Sequence, residues 1–470
     1  MKKLFIAAAF LGLLSTGCRK IEVDGTTTVV TGGGGGGTTE NTILEGRIIE
    51  NRTLKAAYTY KLRGLVYVTN GAVLTIEPGT KIVGETGKNG GLIICRSAKI
   101  IADGTVDKPI VFTSESATPV AGDWAGLVLL GNAPTNSSFN GQTGIGEIEG
   151  GINNSDGLGL YGTPATQAQN PADNSGILRY VRIEYAGYAF LPDKEINGLT
   201  MGGVGSQTII DYVQVSRAND DSFEWFGGNV NCKHIIAYKG LDDDFDCDNG
   251  FAGKVQFGIG LRDSSIADIS GSNGFEVDND ASGSTLTPQT SAVFSNMTVI
   301  GPRATLANAG NTNFKRGMHL RRNSSISIFN SIIMGWPVGL LLDASTGRAT
   351  DLNITNGSMV LANNILASNN TQFSYTASIS APTGWTTTDL TNYFNLPANG
   401  NSVLALNSDV ALTAPFKYDN TVDFNPAAAS PALTGSAFAN PKLTGFSSVT
   451  YRGAAASGDS WWKTWTKFGL

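Results

Sequence analysis

Three five-residue stretches of this chain share one pattern: Ser222-Phe223-Glu224-Trp225-Phe226, Asp244-Phe245-Asp246-Cys247-Asp248 and Gly274-Phe275-Glu276-Val277-Asp278. Apart from Phe226, apolar residues alternate with polar or acidic ones, the period of a half-buried strand. Stacked as neighbours, the strands place Phe223, Phe245 and Phe275 in one inward column and Glu224, Asp246 and Glu276 in an outward one. Asp248 and Asp278 follow on the same outward face. Strand spacing and rise then set carboxylates at the corners of a rectangle of roughly 5 by 7 Å. Bare carboxylates so close repel, so some hold protons or share a cation.

The spacing extends beyond the three stretches. Glu224 and Asp246 lie 22 residues apart, as do Tyr212-Val213-Gln214-Val215 and His234-Ile235-Ile236-Ala237. Upstream, Leu65-Val66-Tyr67-Val68 with Ala72-Val73-Leu74-Thr75-Ile76 returns about 26 residues later as Leu92-Ile93-Ile94-Cys95 with Ala98-Lys99-Ile100-Ile101-Ala102. Repeats of this length built from short strands predict a solenoid. Propeller blades repeat at roughly twice that length. The fold expected is all-β: a right-handed parallel β-helix over residues 41–445, with insertions at about 132–176, 281–291, 303–315 and 368–401. The 59 glycines and the 15% charged content suit strands and tight turns. Asn296, Asn330 and Asn363 suggest a ladder of stacked amides along the coil axis. The aromatic segment 446–470, with Trp461, Trp462 and Trp465, is expected to cap the last coil.

The start of the chain reads as a targeting signal. Lys2 and Lys3 precede an apolar run from Leu4 to Leu14, too short for a stable membrane span. Leu14-Ser15-Thr16-Gly17-Cys18 resembles a lipobox, with residues 1–17 removed and Cys18 taking the lipid. Residues 18–40, with six consecutive glycines from Gly32 to Gly37, form a flexible tether. Loss of residues 1–17 removes two lysines and takes the net charge from −6 to −8. An acidic chain without a basic tract argues against nucleic acid and anionic membrane surfaces. The expected location is the outer membrane, lipid-anchored and facing outward, with no transmembrane helix in the mature chain. Cys95, Cys232 and Cys247 remain, too few for a disulfide framework; a bridge between Cys232 and Cys247 stays open.

Leu74-Thr75-Ile76-Glu77-Pro78-Gly79-Thr80, Gly122-Asp123-Trp124-Ala125-Gly126, Ile196-Asn197-Gly198-Leu199-Thr200 and the three acidic stretches carry a resemblance. The chain resembles the surface lipoproteins of Bacteroidetes with a pectin-lyase-like β-helix. That resemblance implies the fold and a surface location. It does not choose among the lyases, glycosidases, adhesins and tailspikes of the wider superfamily.

Extended, the outward columns run Glu224, Asp246, Glu276, His319, Leu341 and Phe226, Asp248, Asp278, Arg321, Asp343. Three readings compete. In the first, Asp244, Asp246, Asp248, Glu276, Asp278 and Asp280, with Glu224 nearby, bind Ca²⁺ across strands; calcium favours six to eight oxygens. Asp244-x-Asp246-x-Asp248-Asn249-Gly250 is not an EF-hand, since Val255 stands where the closing glutamate belongs. In the second, Asp246, Glu276, His319 and Arg321 are catalytic candidates for a polysaccharide lyase or glycoside hydrolase. In the third, the strip is a solvated face. The expected role is a binding or accessory module for glycans or a partner surface protein.

Overall fold

The computed structural model describes residues 40–191, 194–308 and 310–470. The signal segment, Cys18 and nearly all of the tether lie outside the described residues. The body is a parallel β-helix, its coils merging into one 27-stranded sheet with three faces. On the first face the stack includes Leu199–Gly202, Phe223–Phe226, Phe245–Asp248, Phe275–Val277, Arg316–Leu320, Val338–Asp343 and Thr371–Thr376. The register is the one the sequence predicts: Glu224 pairs with Asp246, Asp246 with Glu276, Glu276 with His319 and His319 with Leu341.

The inward residues build one core from Leu44 to Phe394. Phe223, Phe245 and Phe275 stack within it at centroid separations of 5.9 and 5.4 Å. Trp225 is fully buried against Phe251. Cys95, Cys232 and Cys247 are buried free thiols, so Cys232 and Cys247 do not pair.

Between the second and third faces the chain turns through one left-handed residue per coil. Tyr180, Tyr212, His234, Phe257, Asn296, Asn330 and Asn363 all have φ between 48° and 63°. Asparagine tolerates this region best; bulky residues rarely enter it. The aromatic members gain from stacking, Tyr180 on Tyr212 at 4.5 Å and Tyr212 on His234 at 4.3 Å. The expected asparagine column therefore exists in the backbone, but its amides do not bond one another. Asn296 Nδ2 donates to the Tyr451 carbonyl at 3.0 Å, and Asn330 Nδ2 donates to that of Ala437 at 3.2 Å.

These bonds show where the tail runs. The segment expected over the last coil lies back along the flank, where Trp465 meets Tyr180 and Tyr212 edge-on at 5.9 and 6.0 Å. The end of the core is closed by the 368–401 insertion. Its helix Thr387–Phe394 buries Leu390 and Phe394, and Thr386 and Asp389 form a capping box at its start.

Candidate functional site

Each turn from the third face into the first carries a polar residue just before the strand, giving a column Asn197, Asp221, Asp243, Asn273. These side chains link successive coils. Asp221 Oδ1 accepts the Asp243 N–H at 2.8 Å, and Asp243 Oδ1 accepts that of Asn273. Three residues on, Glu224, Asp246 and Glu276 project from the strands. Asn197 donates to Glu224, and Asn273 Nδ2 donates to Glu276 Oε2 at 3.1 Å.

The two columns bring carboxylates together in three overlapping trios: Asp220, Asp221 and Asp242; Asp221, Glu224 and Asp246; Asp243, Asp246 and Glu276. Within each, the oxygens that could serve as ligands lie within 4.8 Å of one another. Asp221 and Asp246 belong to two trios each. Loops between the coils wall this row into a cleft of about 430 Å³. Glu149, Glu195, Asp220, Asp221, Glu224, Asp242, Asp246 and Asp268 line it, and among the described side chains no lysine or arginine does.

Burial first, and neighbouring carboxylates second, raise the protonation range of this row. Asp242 is pushed up to about 6, while Asp220, Asp221, Glu224, Asp243 and Asp246 all rise well above the usual carboxylate range. For Asp246 the carboxylates that add to the effect of burial are Glu224, Glu276, Asp243 and Asp278.

The other end of the row is neutralised. Arg321 grips Asp278 through Nε and Nη2 at 2.7 and 3.0 Å, and also contacts Glu276. Arg322 Nη1 reaches Asp278 at 2.6 Å. His319 Nδ1 lies 3.0 Å from Glu276 Oε2, and its Nε2 lies 3.6 Å from Asp343. Burial opposes the charge on Glu276, but His319 and Arg321 outweigh it and hold this carboxyl low. Burial also opposes the charge on Arg321, yet the two carboxylates raise its pKa, so it cannot supply a neutral base.

The sequence-derived ligand set is thus divided. Asp246 and Glu276 meet as expected, with Glu224. Asp244 does not face outward with them: it is fully buried in an ion pair with Arg262 Nη1 at 2.9 Å. Asp278 is taken by the two arginines. Asp280 accepts from the Ser282 hydroxyl at 2.6 Å and also binds Ser284, ordering its own loop. Asp248, pushed up to about 8 by burial and Asp278, accepts the Asn249 N–H. Asp221 and Asp243 replace these residues, and a signal for them was present: Asn197-Gly198, Asp221-Ser222, Asp243-Asp244 and Asn273-Gly274 each precede a strand of the first face. Glu149, Glu195 and Asp268 come from loops without such a pattern.

A family model described as the pectate-lyase-like beta helix domain matches residues 46–405. That span is well over half of the chain, and the chain belongs to this family. A comparison with the curated proteins found no match. Among the described residues no helix is long and apolar enough to cross a membrane.

Proposed function

We propose that this pectate-lyase-like β-helix is a surface lipoprotein, anchored to the outer membrane through Cys18, that binds glycans or a partner surface protein through calcium held in the acidic cleft. The observation that carries the reading is the row of three overlapping carboxylate trios along the cleft, whose candidate ligand oxygens lie within 4.8 Å of one another. Like charges at this spacing repel, so a bound cation favours the ionised form of the row. Hard divalent ions with oxygen ligands suit it, and calcium tolerates its irregular geometry better than magnesium. Protein carboxylates would fill part of the coordination sphere. Sugar hydroxyls or a uronate would complete it from the open side.

The competing reading is catalytic. Asp242, at about 6, could donate a proton while another carboxylate assists, as in glycoside hydrolysis. A lyase mechanism is harder to build, because Arg321 stays charged and the base would fall to His319.

Calcium titrated calorimetrically into chelator-treated protein tests the metal; no heat, together with a melting temperature indifferent to chelator, would remove it. Binding of acidic and neutral polysaccharides with and without calcium then tests the role. New reducing ends or unsaturated uronate products, abolished in Asp246→Ala and Glu276→Ala, would overturn the binding-only reading in favour of catalysis.

A further inference from the structure

We infer that Asp268 is a recruited ligand of the acidic cleft: a cation takes the place of the Ser270 hydroxyl between Asp268 and Asp242, and so latches the loop tip Asp268-Ile269-Ser270 over the row. This rests on the reading of the cleft as a cation site and gives that site a moving part. Asp268 belongs to none of the three trios. It comes from the connection between the strands Lys254–Leu261 and Phe275–Val277, and it lines the cleft together with Ile269 and Ser270.

The roots of this connection are fixed. The Asn311 N–H donates to the Ser264 carbonyl at 2.7 Å, Ala267 packs against the core, and the Ser272 hydroxyl donates to the Leu241 carbonyl at 2.7 Å. The tip meets the row through Ser270 Oγ, which lies 3.0 Å from Asp242 Oδ2 and 2.7 Å from Asp268 Oδ1. A hydroxyl has one proton to give, so it serves one of these carboxylates and turns a lone pair to the other. After burial, Asp268 is the strongest influence raising the protonation range of Asp242. The second oxygen of Asp242, Oδ1, is buried and has no hydrogen-bond partner.

The spacing suits an ion better than a hydroxyl. Calcium binds oxygens at about 2.3–2.6 Å, slightly closer than Ser270 Oγ stands to either carboxylate. An ion in its place reaches both Asp242 and Asp268 after a closing movement of a few tenths of an ångström at each. Ser270 turns outward, and Asp268 moves inward with its neighbour. That neighbour, Ile269, is 89% exposed and is the one apolar residue among those described in the lining. A ligand completing the coordination sphere from the open side meets this side chain, so the latch couples cation binding to the choice of ligand.

The test pairs calorimetric titration of calcium with amide hydrogen exchange of residues 268–271, read by mass spectrometry on the full chain with chelator and with calcium. The proteins are the parent, Asp268→Asn and Ser270→Ala. Binding opposes any opening that releases the ion, so calcium at about 100 times its dissociation constant should slow exchange of the parent tip by up to about 100-fold. Asp268→Asn keeps an acceptor for Ser270 and should match the parent in chelator, bind calcium about tenfold more weakly, and show no slowing at the tip. Ser270→Ala should exchange faster than the parent in chelator, yet be slowed by calcium to the parent's level. Calcium heat in the parent without slowing at the tip, or equal slowing in Asp268→Asn, would overturn the latch and leave the cation site standing. Loss of the calcium effect in Ser270→Ala would make the hydroxyl a ligand and overturn its displacement. No calcium heat in the parent would overturn the cation site and the latch together.

Discussion

Replacing Asp246 by asparagine removes a charge from the middle of the acidic row with little change of shape. Asp246 belongs to two trios whose oxygens lie within 4.8 Å. At that distance and an effective dielectric of 20, each like-charged pair is unfavourable by about 3 kcal/mol. Without a cation the folded protein relieves this by keeping a proton on Asp246, whose pKa is raised well above its ordinary value. The unfolded chain releases that proton above about pH 4, so the folded state holds more protons and stability falls as pH rises from there, by about 1.4 kcal/mol per unit until the folded pKa is reached. Asparagine carries no such proton. In chelator, Asp246→Asn should therefore be more stable than the parent above about pH 4, with the gap widening as pH rises and closing near pH 4. Added calcium should reverse the order, stabilising the parent and leaving the variant nearly unmoved. Urea unfolding across this pH range, with chelator and with calcium, reads all three effects. A variant no more stable than the parent in chelator, or a gap that ignores pH, would refute the electrostatic reasoning; equal stabilisation of both proteins by calcium would refute the ligand assignment.

Three further outcomes follow from the packing. Arg262→Leu should lower stability by about 3–5 kcal/mol by stranding buried Asp244, and Asp244→Leu added to it should recover much of the loss in the same denaturation assay. Phe394→Ala, which opens the core beside Phe373 at 5.1 Å, should cost about 3–5 kcal/mol and increase binding of a hydrophobic dye. Gly176 has φ of 117° and an added Cβ would lie 1.8 Å from the Ile100 carbonyl oxygen, so Gly176→Ala should cut the yield of soluble protein sharply.

The coil register was legible because alternation and spacing agree at Phe223, Phe245 and Phe275, where each strand has one apolar and one acidic face. The same alternation misled at Asp244. That residue lies just outside its strand, and its Oδ2 would stand 2.5 Å from a Cβ added at Gly260, so the absent side chain there and Arg262 give it an interior place. Neither is visible in the local pattern. Asn296 and Asn330 were expected to stack their amides on one another, but each amide donates instead to a tail carbonyl more than 100 residues away. Distance in sequence also hid the cleft walls: Glu149 comes from the 132–176 insertion and Glu195 from the connection before Leu199–Gly202, segments whose course depends on the coils they cross. Acidic residues clustered in sequence thus located the row, while the tertiary path of the loops gave it depth.

The tail alters how such a molecule comes together and apart. A solenoid held only by neighbouring coils can add or lose them one at a time from an end. Here the Lys467 N–H bonds Gln214, and the Gly469 N–H bonds the Tyr238 hydroxyl, contacts spanning 253 and 231 residues. A chain emerging N-terminus first can stack its early coils long before these partners arrive. Its flank stays open until the final segment lays itself across several coils at once. Synthesis is thereby gradual while dismantling is not: coils in the middle cannot be peeled away until the tail has first let go.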